Sequence, residues 1–299
     1  MIKRRTVLIL GAGASAPYGF PAGRKLMNII LKHLDPMEGS ELPVTLARFG
    51  IKANTIKDFS KNLDYSGRQS VDAFLEHRPE FLKVGKLAIT LSLIPYENES
   101  RLFDRNKYET NWYEYLFNKL NAPFNSFHEN KLAIIPFNYD RSLEHYLITA
   151  LGSAYGKSVE ECSVQLNTIP IIHVHGRLGA LPWQEGLKRS YEPEPFIDEI
   201  EAVSEQIKVI TDDVQDSSEF KEASTQMHNA LDIIFLGFGY HDENLQRLRI
   251  KEFGNKHPVG SAYGLGDSEI LDVKGKWGIK LAKEHGEVLE FLKNHVTLR

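Results

Sequence analysis

The chain has 299 residues, 42% hydrophobic and 25% charged, the balance of an ordinary globular protein with room for one large domain with insertions or two small ones. Its net charge of −4, from 36 basic and 40 acidic residues, gives no electrostatic case for nucleic acid as the main partner, and no apolar run is long enough to span a bilayer. A single cysteine, Cys162, excludes an internal disulfide and any zinc site of three or four cysteines, and a reducing cytoplasm is the expected compartment.

The basic start, Lys3 to Arg5, is followed by too short an apolar run for a signal peptide. That run, Thr6 to Leu10, reads as a buried strand, and Gly11 and Gly13 then allow a sharp turn with the backbone close to a ligand. Pro21 marks the start of a helix carrying Leu26, Ile30 and Leu34 at helical spacing. Strand, glycine turn and helix are a common seat for phosphate, although the third glycine of the dinucleotide fingerprint is replaced by Ala16. Residues 35–130 show little strand signal; helices are expected on both sides of Pro79 and around Trp112, Tyr115, Leu116 and Leu120, with a polar loop from Asn98 to Lys107.

A second strand, Leu132 to Ile135, runs into Asn138 and Asp140 ahead of a helix with Leu143, Tyr146 and Leu147 on one face. These polar residues read either as site residues at a strand end or as caps of that helix. Cys162 follows Glu160 and Glu161, a setting that disfavours a thiolate nucleophile. A third strand is expected at Ile169 to Ile172; His173 and His175 beyond it share one face, as metal ligands or as hydrogen-bonded strand-end residues. Residues 181–230 carry two helices and an acidic, proline-rich stretch, most simply a solvated cover. A fourth strand, Ile233 to Leu236, ends in Gly237 and Gly239, with Asp242 as the cap of the next helix. Short strands near Ser261 to Gly264 and Gly278 to Leu281 and a last helix with Val288, Phe291 and Leu292 complete the pattern.

Alternating strands and helices with two glycine turns predict an α/β fold, a doubly wound Rossmann-like parallel sheet with helical insertions. The expected organisation is a single domain over 1–299, with a nucleotide-binding core at about 1–34, 131–180 and 231–299, a helical insertion at 35–130 and an acidic helical insertion at 181–230. Such a sheet would bring the turn Gly11 to Ser15, Asn138, His175 and the turn Gly237 to Gly239 to one crevice.

Together, Gly11 to Ser15 with Gly19 and Pro21, Asn138 to Asp140, His175 with Gly176, and Gly237 to Gly239 with Asp242 resemble the sirtuin superfamily. The similarity is greatest to its bacterial NAD-hydrolase branch in antiviral defence, and does not extend to residues 35–130 or 180–230. Two departures separate the chain from deacylating sirtuins: their four-cysteine zinc module cannot be built, and their Asp-Phe-Arg after the proline is here Ala22, Gly23, Arg24. The resemblance implies an NAD glycohydrolase that takes NAD as substrate and holds no zinc. It implies that Asn138 holds the ribose and orients a water, that His175 is the general base with a pKa suited to neutral pH, and that Asp140 contacts the nicotinamide carboxamide. It further implies that Gly11, Ala12, Gly13 and Ser15 hold the pyrophosphate, with Gly237, Gly239, Asp242 and Asn244 toward the adenosine half.

A dinucleotide-sensing module without cleavage is the alternative, followed by a deacylase or a dehydrogenase; for the last, no acidic ribose ligand stands about twenty residues past the glycine turn except Asp35. An unrestrained NAD hydrolase is toxic, so a gate is expected. It would be a homo-oligomer interface or a separate activating protein, such as an ATPase, a nucleotide-binding or a nucleic-acid-guided protein, with neither membrane nor direct nucleic-acid contact.

Overall fold

A computed structural model describes residues 1–194, 196–209, 217–253, 255–283 and 288–299. Five strands, β1 (Thr6–Leu10), β2 (Leu132–Pro136), β3 (Asp232–Leu236), β4 (Val259–Ser261) and β5 (Lys280–Ala282), form one all-parallel sheet in the order β2-β1-β3-β4-β5. β1 lies between β2 and β3, with Leu8 level with Ile134 on one side and Ile234 on the other.

The segment expected as a third strand does not become one. Ile171 makes an isolated parallel bridge to Ile134, and Val174 N–H reaches the Pro136 carbonyl at 3.3 Å. Pro170 and Pro136 both lack the N–H that a continuous ladder requires, so only fragments of pairing survive. Counting this edge segment as the third element, the order reads 3-2-1-4-5-6, the arrangement of dinucleotide-binding sheets, with its reversal between β1 and β3.

β1 is buried along its whole length, and its side chains alternate between two cores. Leu8, Leu10, Ile134 and Leu236 pack with the helices Gly23–Leu34, Leu82–Leu93, Trp112–Lys119 and Ser142–Tyr155. Val7, Ile9, Ile135 and Phe235 pack with Ser218–Asn229, Asp242–Arg247 and Asp267–Trp277 on the other face. The helical insertion therefore covers the first face. Its helix Trp112–Lys119 grips the segment after β1: Trp112 Nε1 donates to the Ala14 carbonyl (2.8 Å), and Tyr18 stacks on Tyr113 at 3.8 Å.

Several boundaries differ from the sequence reading. A 3-10 helix, Ala12–Tyr18, stands between β1 and the helix Gly23–Leu34. The loop expected from Asn98 holds a short helix, Glu99–Leu102, whose Leu102 is buried. β4 ends at Ser261, ahead of a turn at Gly264 with φ +81°.

The acidic segment after residue 180 is more than a solvated cover. Arg141, fully buried, donates from Nε to Glu97 (2.9 Å) and from Nη1 to the carbonyls of Ala180 (3.2 Å) and Arg189 (2.8 Å). Arg189 also pairs with Glu97, and Tyr191 stacks on His145 at 4.2 Å. One carboxylate thus serves two guanidinium groups, whose pKa burial brings down to about 10 each. This cluster ties both insertions to the segment that follows β2.

Candidate functional site

The carboxyl ends of β1 and β3 carry the two glycine turns, and these interlock. Gly11 N–H donates to the Leu236 carbonyl and Gly13 N–H to the Gly237 carbonyl, each at 3.0 Å. A Cβ at Gly11 would lie 2.4 Å from Gly237 O; one at Gly237, where φ is +56°, would lie 2.1 Å from Ala14 N. The glycines are required first by backbone against backbone, rather than by a ligand. The sequence reading of Gly11 and Gly13 as N–H donors to a pyrophosphate is corrected accordingly, since both groups already have carbonyl partners. Both still line the cavity, with Ala12 between them.

That cavity has a volume of about 510 Å³, within the roughly 300–1,000 Å³ range of small-molecule sites. Gly237, Gly239, Asn244 and His175 also line it. Asp242 and Ser15 do not. Asp242 is the first residue of its helix, not the cap, and accepts from Trp277 Nε1 (2.9 Å) and Lys276. Lys276 and Trp277 hold its carboxyl below the ordinary aspartate range. The Ser15 hydroxyl turns inward and donates to Asp140 Oδ2 (2.7 Å), so it does not face the diphosphate position expected of it.

Asn138 and Asp140 face a smaller recess of about 70 Å³ beside the cavity. Asp140 is both a site wall and an acceptor at the start of the next helix, whose cap position is Arg141: Oδ1 accepts from Ser142 N–H (3.1 Å) and the Ser142 hydroxyl, while Oδ2 accepts from Ser15 and Asn138. A carboxylate only accepts, so the Asn138 amide must turn its NH₂ toward Asp140. Asn138 Nδ2 also donates to Ser15 Oγ (2.8 Å), and among the described residues its Oδ1 is buried without a partner. His173 stands behind, with Nδ1 3.2 Å from the Asn138 carbonyl oxygen and Nε2 2.7 Å from Glu144. Burial alone would raise the Glu144 carboxyl, but His173, together with the charge of Arg177 and a backbone hydrogen bond, holds it below its ordinary value. His173 is therefore part of the support of Asn138.

Neither a protein-family model nor a curated protein matches this chain.

His175 has a different setting. Its ring lies edge-on to Phe137 (5.1 Å) and Phe220 (5.8 Å), and neither ring nitrogen has a partner among the described residues. Desolvation, then the charge of Arg247, pushes its pKa down to about 3. The expectation of a pKa near neutrality is thus corrected: at pH 7 the ring is neutral, one nitrogen donating and the other accepting. Gly176 follows with φ +76°, and a Cβ there would lie 1.8 Å from Gln206 O, so the glycine lets the 206–208 segment close against the His175 backbone. Lys208 N–H duly donates to the His175 carbonyl at 2.8 Å.

Two residues in and beside the site were missed by sequence reading. Asp72 lines both cavity and recess and accepts from the Tyr139 hydroxyl. Arg247 pairs with Glu76 (2.6 Å) through Nη2, while its Nε and Nη1 are buried without partners among the described residues. Only the positions of Ser70 and Asp72 ahead of an apolar helical face hinted at a helix start there. Cys162 is buried in the helix Val159–Leu166, away from the site, and burial raises its thiol pKa. No helix among the described residues is long and apolar enough to cross a membrane.

Proposed function

We propose that the protein hydrolyses NAD at the nicotinamide–ribose bond, giving nicotinamide and ADP-ribose. The observation that carries this reading is the placement of Asn138, with a free amide oxygen, and His175, with two free ring nitrogens, on adjoining walls at the reversal point of the sheet. Such a bond breaks through an oxocarbenium-like centre, and nicotinamide leaves as a neutral molecule, so no acid is required. The chain's task is to hold the ribose, place a water and exclude the rest. Asn138 Oδ1 accepts from the water or a ribose hydroxyl, its NH₂ being fixed by Ser15 and Asp140. His175 binds a ribose hydroxyl as a neutral ring, and a diphosphate nearby raises its proton affinity. The sirtuin resemblance supports the same assignment and points to a gated effector of antiviral defence, restrained by a homo-oligomer or a separate activating protein.

Chromatographic measurement of nicotinamide release tests this. Asn138→Ala and His175→Ala should each lower turnover by roughly 10²–10⁴-fold. Wild-type rates in both overturn the assignment, and full-rate turnover by an isolated monomer overturns the gate. The low pKa of His175 favours one other reading, a module that senses a dinucleotide without cleaving it. Tight NAD binding with no nicotinamide release, in the presence of co-purified partners, would select it.

A further inference from the structure

The cavity and the recess share a wall made of Ala12, Gly23, Asp72, Phe137 and Tyr139. Asp72 is the one charged residue of the five. A ligand reaching from the His175 side into the Asn138 recess passes it. The other nearby carboxylate, Asp140, is saturated by Ser15, Asn138 and Ser142. Asp72 accepts from Tyr139, and among the described residues it has no cationic partner. A carboxylate placed this way is complementary to a positive charge brought by a ligand.

Its position is also fixed. Asp72 sits in the first turn of the helix Val71–Leu75, which Ser70 caps by accepting from Ala73 N–H (3.1 Å). At the other end, Glu76 joins Arg247 across 171 residues of sequence. The helical insertion is thereby clamped to the helix Asp242–Arg247, with Asp72 pointing into the crevice.

We propose that Asp72 is a catalytic residue of this site, facing the cationic ribosyl centre and taking the proton of the attacking water. The proposal rests on the NAD-hydrolase reading above. In the step, the water oxygen bonds to the ribose C1′ as the C1′–N bond breaks, and that bond's electron pair returns to the pyridinium ring. One water proton passes to the Asp72 carboxylate and then to solvent, so the products are nicotinamide, ADP-ribose and one proton. Desolvation raises the Asp72 carboxyl, tempered by the Tyr139 hydrogen bond, which brings it closer to the working pH of a base.

The test compares wild type, Asp72→Asn and Tyr139→Phe by the pH profile of nicotinamide release, NAD binding by calorimetry and thermal unfolding. Asp72→Asn should lose roughly 10²–10⁴-fold in kcat while still binding NAD and folding. Tyr139→Phe removes the bond that holds the Asp72 carboxyl down, so the acidic limb of its kcat profile should move to higher pH. A purely structural role predicts the reverse: lower stability, with kcat per folded molecule and the limb unchanged. Wild-type kcat in Asp72→Asn, or an unmoved limb in Tyr139→Phe, overturns the role of Asp72 alone. If Asp72→Asn fails to fold, the Tyr139→Phe limb decides. A wild-type protein that releases no nicotinamide, purified or expressed in cells, overturns both this role and the hydrolase reading.

Discussion

The two polar clusters that flank the crevice are built on opposite principles. In the cluster after β2, Asp140 accepts from three residues, and Arg141 beside it binds Glu97 and three carbonyls. In the other cluster, His175, Asn244 and Arg247 all carry buried polar atoms without partners among the described residues. Buried polar groups without partners are destabilising, and they persist where something else compensates. The first cluster holds geometry; the second leaves polar atoms of His175 and Asn244 unpaired at the cavity wall. Asn138 belongs to both, with its NH₂ on the closed side and its oxygen on the open one.

The largest expected effects come from breaking the closed side. Glu97→Gln leaves Arg141 and Arg189 buried without a carboxylate and should cost about 3–5 kcal/mol, measured by urea unfolding. Asp140→Ala orphans the Ser15, Ser142 and Asn138 donors and should cost about 1–3 kcal/mol per group left unpaired, with turnover falling as the amide loses its orientation. The open side should behave oppositely: His175→Phe should abolish turnover while stability at pH 7 is kept or rises. It should also change the pH dependence of stability. Between the ordinary histidine pKa near 6.5 and the folded value of about 3, the unfolded chain binds the proton that the folded one refuses. Stability therefore falls as pH falls through this window, by up to about 1.4 kcal/mol per pH unit, and His175→Phe should flatten that slope. A Glu97→Gln variant as stable as wild type, or a His175→Phe variant that unfolds at pH 7, would erase the contrast.

The sequence made the sheet legible where the chain's apolar runs lack internal proline: β1, β2 and β3 fall within a residue of their expected bounds. Ile169 to Ile172 looked equally strand-like, but Pro170 withheld a rung, and Pro136 on the facing strand withheld another. Strand-end positions were legible because parallel topology sends them to one edge, and this is how Asn138 and His175 could be chosen. What hydrogen bonds do at that edge was not. Nothing local in Ser15 shows that it turns to Asp140, and nothing in Gly11 shows that its neighbour is Gly237. Asp242 looked like a cap, yet its carboxylate is drawn to Trp277, 35 residues on. Asp72 and Arg247 depend on how one helix of the insertion docks against another from the far end of the chain, which no periodicity encodes.

The place of β1 between β2 and β3 has a consequence for the order in which the molecule is made. Thr6 pairs with Leu132, 132 − 6 = 126 residues later, and with Asp232, 232 − 6 = 226 residues later. Contacts this distant are the slow ones in folding, and a chain emerging from the ribosome must wait for them. The turn after β1 gains the floor it rests on only when Leu236 and Gly237 have been synthesised. From about residue 130 until Gly237 is made, the nascent chain therefore has every helix of the first insertion but no finished crevice, and the floor of the cavity is completed late.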